Sequence, residues 1–572
     1  MKIFKSFPLA CAALIMSACS SDDGNGSENP NIASEAQYLA VNIVNVGTTP
    51  TRGSSTDPNY ADGTDAENKI NKVRFYFFNS DGSPYTLVGT EETTTGTNVN
   101  WLEQKTISKD EGSTSSVDKI LNTVLVIKGS TAAAPAKMVT VINPETLNAT
   151  TLKSNGVVSL SDLCDGLNDT KFYDTPTSGS ISDFVMTNSA YLEAGIKVCP
   201  SLVSGHVETS DVDAKKNPVD IYVERVAAKV STELTDAKFE VGTAATWGDG
   251  LYKTKDPVYT YGANTKIYAV IEGWGVADEN KKAMVVKQIS DSWTNDNIGI
   301  NPWNTADYHR CFWESMMPNA NATGTSIYSN VNHAFNDYKA NIKTGIKYTL
   351  PNTAAAASDY SDKKENNMTK FLVAATLKYQ DATGAWQKAE VCKYRGVEYL
   401  GIKNLKEAVA TAYNKYYKKV GTAYKELEAA DIDFSTTRTS TTTTLKDYQV
   451  VPTLAKTVTT VYTKNSTGSY DEATTAKADI EQFTADVRKD GKVYYYIPIY
   501  HLGSVGSVAE CGVVRNHWYK VTLNSINGLG TPVYDETKTI DPTTPEDNNT
   551  FLAARVNVLQ WRVVSQKVNL GK

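Results

Sequence analysis

The chain is punctuated into short strand-like runs. Residues 73–78 (VRFYFF) stop at Asn79-Ser80-Asp81-Gly82, and residues 137–142 (KMVTVI) stop at Asn143-Pro144. Runs of β-branched and aromatic residues this short, closed by Asn, Asp, Gly or Pro, read as strands joined by turns. Others lie at 38–46, 121–128, 184–187, 219–223, 227–232, 266–272, 371–379, 493–500, 518–526 and 556–570. Such a chain buries its apolar residues by packing sheet on sheet. The expected fold class is therefore all-β, in sandwich-like domains, and 572 residues leave room for more than one. The excess of Tyr (32) over Phe (14) suits sheet faces with a wet edge.

One region breaks the period of two. Between 404 and 430, Leu405, Ala408, Val409, Ala412, Tyr416, Val420, Ala423, Tyr424 and Leu427 fall at helical spacing, with lysines on the other face. This predicts an amphipathic helix, or a helical pair broken at Gly421, packed on a sheet. A helix for a partner is the sharper alternative. Residues 471–487 are a second helix candidate, and the Thr-rich run 435–444 reads as an exposed loop or strand edge.

Charge narrows the function. Lys+Arg 57 against Asp+Glu 64 gives a net −7, which leaves no basic surplus to neutralise phosphates and argues against a nucleic-acid partner. Five histidines are few for metal or His-based chemistry. No G-x-S-x-G, H-E-x-x-H, P-loop or G-x-G-x-x-G occurs. His309, Arg310 and Cys311 sit between Trp303 and Trp313, but adjacent residues on a strand point to opposite faces. No paired carboxylates stand out for glycoside hydrolysis. The expectation is a non-enzymatic protein without cofactor or metal.

The start of the chain sets the compartment. Lys2 and Lys5 precede an apolar run over 7–16 and then Ser17-Ala18-Cys19, a secretory signal too short to span a bilayer. Met16-Ser17-Ala18-Cys19 resembles a bacterial lipobox, with Cys19 as the acylated residue; an ordinary signal peptide is the alternative. The polar, acidic stretch 20–26 resembles the surface-export signals of Bacteroidetes lipoproteins. Acyl chains would supply the membrane attachment that the polypeptide lacks. Cys164, Cys199, Cys311, Cys392 and Cys511 are odd in number and widely spaced, which predicts buried free thiols.

Six segments carry a family resemblance. They are Phe184-Val185-Met186-Thr187-Asn188-Ser189, Val223-Glu224-Arg225-Val226-Ala227-Ala228-Lys229-Val230 and Tyr348-Thr349-Leu350-Pro351-Asn352-Thr353, then Tyr494-Tyr495, Gly512-Val513-Val514-Arg515-Asn516-His517-Trp518-Tyr519 and Val558-Leu559-Gln560-Trp561-Arg562-Val563. In this order, behind a lipobox, the chain resembles the Bacteroidales fimbrillin family, nearest to subunits of the short (minor) fimbriae of Porphyromonas-type bacteria. Gln560 departs from that pattern, where Pro is expected, and so does the insert at 404–430.

The resemblance implies two transthyretin-like β-sandwich domains, and the helical spacing at 404–430 adds helical insertions to the second. It divides the chain into a lipoprotein signal peptide (1–18), a lipidated propeptide with a removable first strand (19–52), an N-terminal sandwich (53–217) and a C-terminal sandwich (218–572) ending in a donor strand. It also implies a precursor at the outer membrane, an Arg-specific protease, and polymerisation with identical subunits by donor-strand exchange. Accessory anchor and tip subunits and host or bacterial surface receptors are the further partners. The outcome is a fimbrium that serves adhesion and biofilm formation.

The residues support this on their own terms. Arg52 is the first Arg of the chain and sits among small residues, followed by Gly53-Ser54-Ser55, where a protease can reach the backbone. The strand upstream presents Leu39, Val41 and Ile43 on one face, and these are the residues to be displaced. At the other end Val564, Gln566, Val568 and Leu570 alternate with Ser565, Lys567 and Asn569, as an inserted donor strand would. Four to six inserted side chains at about 2 kcal/mol each amount to roughly 10 kcal/mol gross. Two other readings stay open: an outer-membrane glycan-binding lipoprotein using Trp303 and Trp313, and an anchor or tip subunit that does not polymerise.

Overall fold

The computed structural model describes residues 36–44, 60–88, 98–104, 121–129, 133–147, 156–163, 172–175, 180–189, 191–193, 196–198, 200–280, 283–287, 332–340, 342, 345–353, 368–438, 444–501, 512–542 and 551–562. Strands are the main regular structure among them, the helices are few and short, and the fold is all-β.

The N-terminal unit is built from β1 (Gln37–Val44), β3 (Val73–Phe78), β4 (Trp101–Gln104), β5 (Leu121–Ile127), β6 (Lys137–Ile142), β7 (Met186–Asn188) and β8 (Val219–Arg225). β1 lies between β5 and β8, while β7, β6, β3 and β4 follow one another beyond β8. β8 serves both groups: Val219–Tyr222 pair with β1, and Val223–Arg225 pair with β7. The core joins Leu39, Val41, Leu125, Ile127 and Ile221 to Phe75, Phe77, Val139, Val141 and Met186, all buried.

The C-terminal unit is a second sandwich. One sheet runs in the order β11 (Ile346–Thr349), β9 (Ala228–Leu234), β14 (His517–Asn527), β15 (Phe551–Arg562) and β2 (Tyr60–Asp62). The other centres on β10 (Thr265–Ala277), β12 (Lys370–Gln380) and β13 (Lys492–Pro498). Tyr519, Val521 and Leu523 of β14 are buried at every second position and meet Val230, Ile267, Val373 and Val493. That is the period expected of a strand with one face in a core. Gly273 in β10 lies beneath the turn Phe335–Tyr338, where a Cβ would come within 2.0 Å of the Tyr338 carbonyl oxygen. Only glycine admits so close an approach.

Between β12 and β13 the chain makes an excursion with its own core of Tyr394, Leu405, Val409, Tyr413, Tyr416, Ile432, Val450, Ile480 and Val487. The helix expected over 404–430 is confined to Ile402–Ala412. The remainder is a hairpin, Tyr416–Val420 against Ala423–Glu426, with Val420 opposite Ala423. Gly421 takes φ +63° in the two-residue turn, so it reverses a hairpin instead of breaking a helix. The apolar residues at 416, 420, 424 and 427 followed a period that two short strands also satisfy. Residues 471–487 likewise hold only a short helix, Ala476–Ile480, flanked by strands Tyr470–Glu472 and Ala485–Val487.

Candidate assembly site

β1 is held along both edges. On one side Gln37 to Ile43 pair antiparallel with Ile127 to Leu121. On the other, Tyr38 and Leu39 pair with Glu208 and Val207, and Val41 to Val44 run parallel with Val219 to Tyr222. Leu39 and Val41 are fully buried and belong to the N-terminal core. Ile43 lies in register with Leu121 and Ile221. Eight residues at about 3.3 Å each make a slot of roughly 26 Å. Taking β1 away would expose two rows of backbone donors and acceptors together with the apolar floor beneath Leu39 and Val41.

The chain then changes unit. β1 belongs to the N-terminal sandwich, yet β2, the next described strand, pairs parallel with β15 of the C-terminal one: Tyr60 with Gln560, Ala61 with Trp561 and Asp62 with Arg562. Arg52 and Gly53 fall in the segment between β1 and β2, outside the described residues, as does Cys19. Val564, Gln566, Val568 and Leu570 also lie outside them, directly after β15. Trp303, His309, Cys311 and Trp313 are outside them too. Among the described residues no three His, Cys, Asp or Glu side chains are grouped to hold a metal ion. Cys392, free and buried, has its thiol pushed up to about 12 by burial and by Glu390.

Four of the six sequence motifs, at 184–189, 223–230, 348–353 and 512–519, meet at the joint between the two sandwiches. Glu224 and Arg225 end β8, and Lys229 lies in β9, so a bend at Val226-Ala227 carries the chain from one unit to the other. Thr187 and Met186 pair with Glu224 and Arg225. Lys229 pairs with Tyr348 on one side and Trp518 on the other. Asn516 N–H donates to the Ala227 carbonyl at 2.9 Å, and the Arg225 Nη1 donates to Asn516 Oδ1 at 3.2 Å.

Two buried charge clusters lock this joint. In the first, Glu67 Oε1 lies 2.8 Å from Lys229 Nζ and accepts from the Tyr348 hydroxyl at 2.5 Å. Arg225 Nε donates to the Glu67 carbonyl at 3.0 Å, its Nη2 donates to Asn68 Oδ1, and Lys229 Nζ sits 4.0 Å over the Trp518 ring. In the second, Glu224 Oε1 lies 2.8 Å from Lys287 Nζ and 3.7 Å from Arg515 Nε, while Ser189 Oγ donates to its Oε2 at 3.0 Å. Arg515 also donates to the Val285 and Met284 carbonyls at 3.0 Å each, tying the segment 283–287 to the joint. Burial pushes Arg225 down to about 9, against the raising effect of Glu67. Burial raises the Glu67 carboxyl, but Lys229, Tyr348 and the Thr64 N–H together outweigh it and leave the group below its ordinary value. Sequence reasoning placed these residues on strands without a role. The visible signal was the three charges, Glu224, Arg225 and Lys229, inside the otherwise apolar run Val223 to Val230, which a two-sided core tolerates only when each is partnered.

Residues 488–567 match the family model described as Major fimbrial subunit protein type IV, Fimbrillin, C-terminal. No curated protein matches the chain. Among solved structures, a candidate cell adhesion protein from Bacteroides eggerthii shares 11% identity, with 95% of this chain and 100% of that one covered at a TM-score of 0.35. Another from Parabacteroides distasonis shares 12%, covers 91% and 96%, and superposes at 0.35. The tip fimbrial protein Mfa3 from Porphyromonas gingivalis shares 8%, covers 92% and 100%, and superposes at 0.29. Superpositions this loose carry no argument. The family match is the informative one: over the stretch that holds β13, β14 and β15, the chain is similar to the C-terminal part of fimbrillins.

Proposed function

We propose that this chain is a structural, non-enzymatic subunit of a cell-surface fimbria, of the kind that forms the shaft of short fimbriae. It polymerises by donor-strand exchange. The observation that carries this reading is the position of β1, paired on both edges, with Leu39 and Val41 buried in the core, and lying just before Arg52. The precursor is an outer-membrane lipoprotein acylated at Cys19. An Arg-specific protease cuts after Arg52 and releases β1 with the lipid, and Val564, Gln566, Val568 and Leu570 of another copy fill the vacated slot. Anchor and tip subunits share the same fibre, and surface receptors are its targets. The C-terminal fimbrillin match supports the fimbrial part of this reading.

The test is N-terminal sequencing of subunits from shed fibres, alongside the Arg52→Ala variant. A free N-terminus at Gly53, and a variant that stays lipid-anchored and monomeric, are expected. An acylated Cys19 in the fibre, or normal fibres from the variant with no nearby alternative cut, overturns the reading.

A further inference from the structure

Asp278 directly follows β10 and Lys370 opens β12, and the register partner of Lys370 is Ala277. The two side chains therefore rise from neighbouring strands, and each is only 1% exposed. Lys370 Nζ donates to Asp278 Oδ2. The second oxygen, Oδ1, accepts from Asn332 Nδ2 at 2.8 Å, and Asp278 N–H donates back to Asn332 Oδ1 at 2.7 Å. The Asp278 carbonyl accepts from Thr369 Oγ1 at 3.2 Å, so its backbone is pinned as well. The surroundings are apolar: Ala277, Phe335, Leu372, Ala374 and Tyr494 form one buried cluster, with the Tyr496 ring 5.8 Å from Lys370 Nζ.

The joint's lysines differ. Lys229 shares its carboxylate with a hydroxyl and rests on an indole, and Lys287 shares Glu224 with Arg515. An ammonium carries three N–H donors, which burial normally obliges to find acceptors. Among the described residues, Asp278 is the only hydrogen-bond acceptor of Lys370. An amide nitrogen would carry a single N–H, and its carbonyl oxygen would still accept from Asn332.

A third carboxyl adjoins the pair. Ile540 packs into the same cluster and donates its N–H to the His333 carbonyl at 2.9 Å, which brings Asp541 alongside Asn332 and Asp278. Partial burial and the Asp278 charge push the Asp541 carboxyl up, with Lys370 opposing.

We propose that Lys370 Nζ and Asp278 Cγ condense into an intramolecular isopeptide bond, with Asp541 passing the proton. In the apolar pocket the ion pair relaxes to amine and acid by moving one proton from Nζ to the carboxyl. The Nζ lone pair attacks Cγ and forms the N–C bond. The Cγ–Oδ2 bond breaks, and Oδ2 leaves as water with one proton from the acid and one from Nζ. Ammonium plus carboxylate become amide plus one water, with no oxidant or reductant. The product ties β10 to β12 at the ends where they are already paired.

The experiment is tryptic mapping of the purified full-length chain by tandem mass spectrometry. The expected result is a branched species, peptide 267–281 joined through Lys370 to an uncut 365–378, one water lighter than the sum. Fragmentation that locates the lost water at this junction separates it from succinimide at the Asp-Gly sites. Lys370→Arg and Asp278→Ala should abolish the species. Asp541→Asn should reduce the cross-linked fraction at least tenfold at equal times while circular dichroism stays native. Cleavage after Lys370 in the wild type, giving 365–370 and 371–378 with no branched peptide, overturns the bond. An unchanged cross-linked fraction in Asp541→Asn removes Asp541 from the reaction. Neither outcome touches strand exchange at β1.

Discussion

Arg225 and Asn516, 291 positions apart, are joined twice: the Arg225 N–H and its Nη1 both donate to Asn516 Oδ1, at 3.4 and 3.2 Å. The two lie in separate motifs, and their contact holds the end of β8 against the turn that begins β14. A guanidinium fully removed from water is tolerated because the Glu67 carbonyl and Asn68 also accept from it.

Removing one partner should therefore leave a buried charge or donor unmet. Arg225→Ala is expected to lower unfolding free energy by about 3–5 kcal/mol. Arg225→Lys should recover little of it, because an ammonium cannot serve several acceptors in one plane. Urea unfolding of the uncut chain measures both, and equal stability of Arg225→Ala and wild type would show that the joint does not depend on this residue.

The same joint makes stability sensitive to acid. The folded Glu67 carboxyl lies below its ordinary value of 4.5, burial notwithstanding, because Lys229 favours its charged form. Its contribution is complete above 4.5 and is lost as pH falls through the lower folded value. The stability gap between wild type and Glu67→Gln should thus be constant near neutrality and shrink steadily below pH 4.5. A gap that widens on acidification would reverse the sign assigned to this group.

Leu39 offers a test that depends on processing. In the uncut chain its side chain is fully buried, so Leu39→Ala should cost about 2–5 kcal/mol. Once β1 has been removed, the substitution has left with it, and fibres made from the variant should match wild type in stability. A defect that persists in washed fibres would mean that β1 is retained.

The donor end separates by register. Val568→Asp should block polymerisation, since a carboxylate in an apolar slot is buried without a partner at a cost of several kcal/mol. Lys567→Asp, on the opposite face, should be nearly silent. Electron microscopy of fibre length reads both, and sensitivity at 567 with tolerance at 568 would shift the register by one residue.

What the sequence made legible follows the range of the forces involved. Strands 73–78 and 137–142 are found where their residues place them, because alternation and turn chemistry are local. The 404–430 stretch misled, because a few apolar residues satisfy a helix and a hairpin alike, and only Gly421 at positive φ decides between them. The pairing of β1 between β5 and β8, and the meeting of Glu224 with Lys287 and Arg515, depend on contacts tens to hundreds of positions apart. Nothing in a run of neighbours encodes them, beyond the oddity of charge inside an apolar strand.

The excursion between β12 and β13 has a mechanical consequence. Its two ends leave from strands that are already zipped together, Thr376 opposite Lys492. Tension transmitted along the chain crosses that ladder and bypasses the excursion, which rides on the sandwich as unloaded cargo. Its surface is therefore free to diverge in shape and chemistry without weakening whatever the two sandwiches must bear.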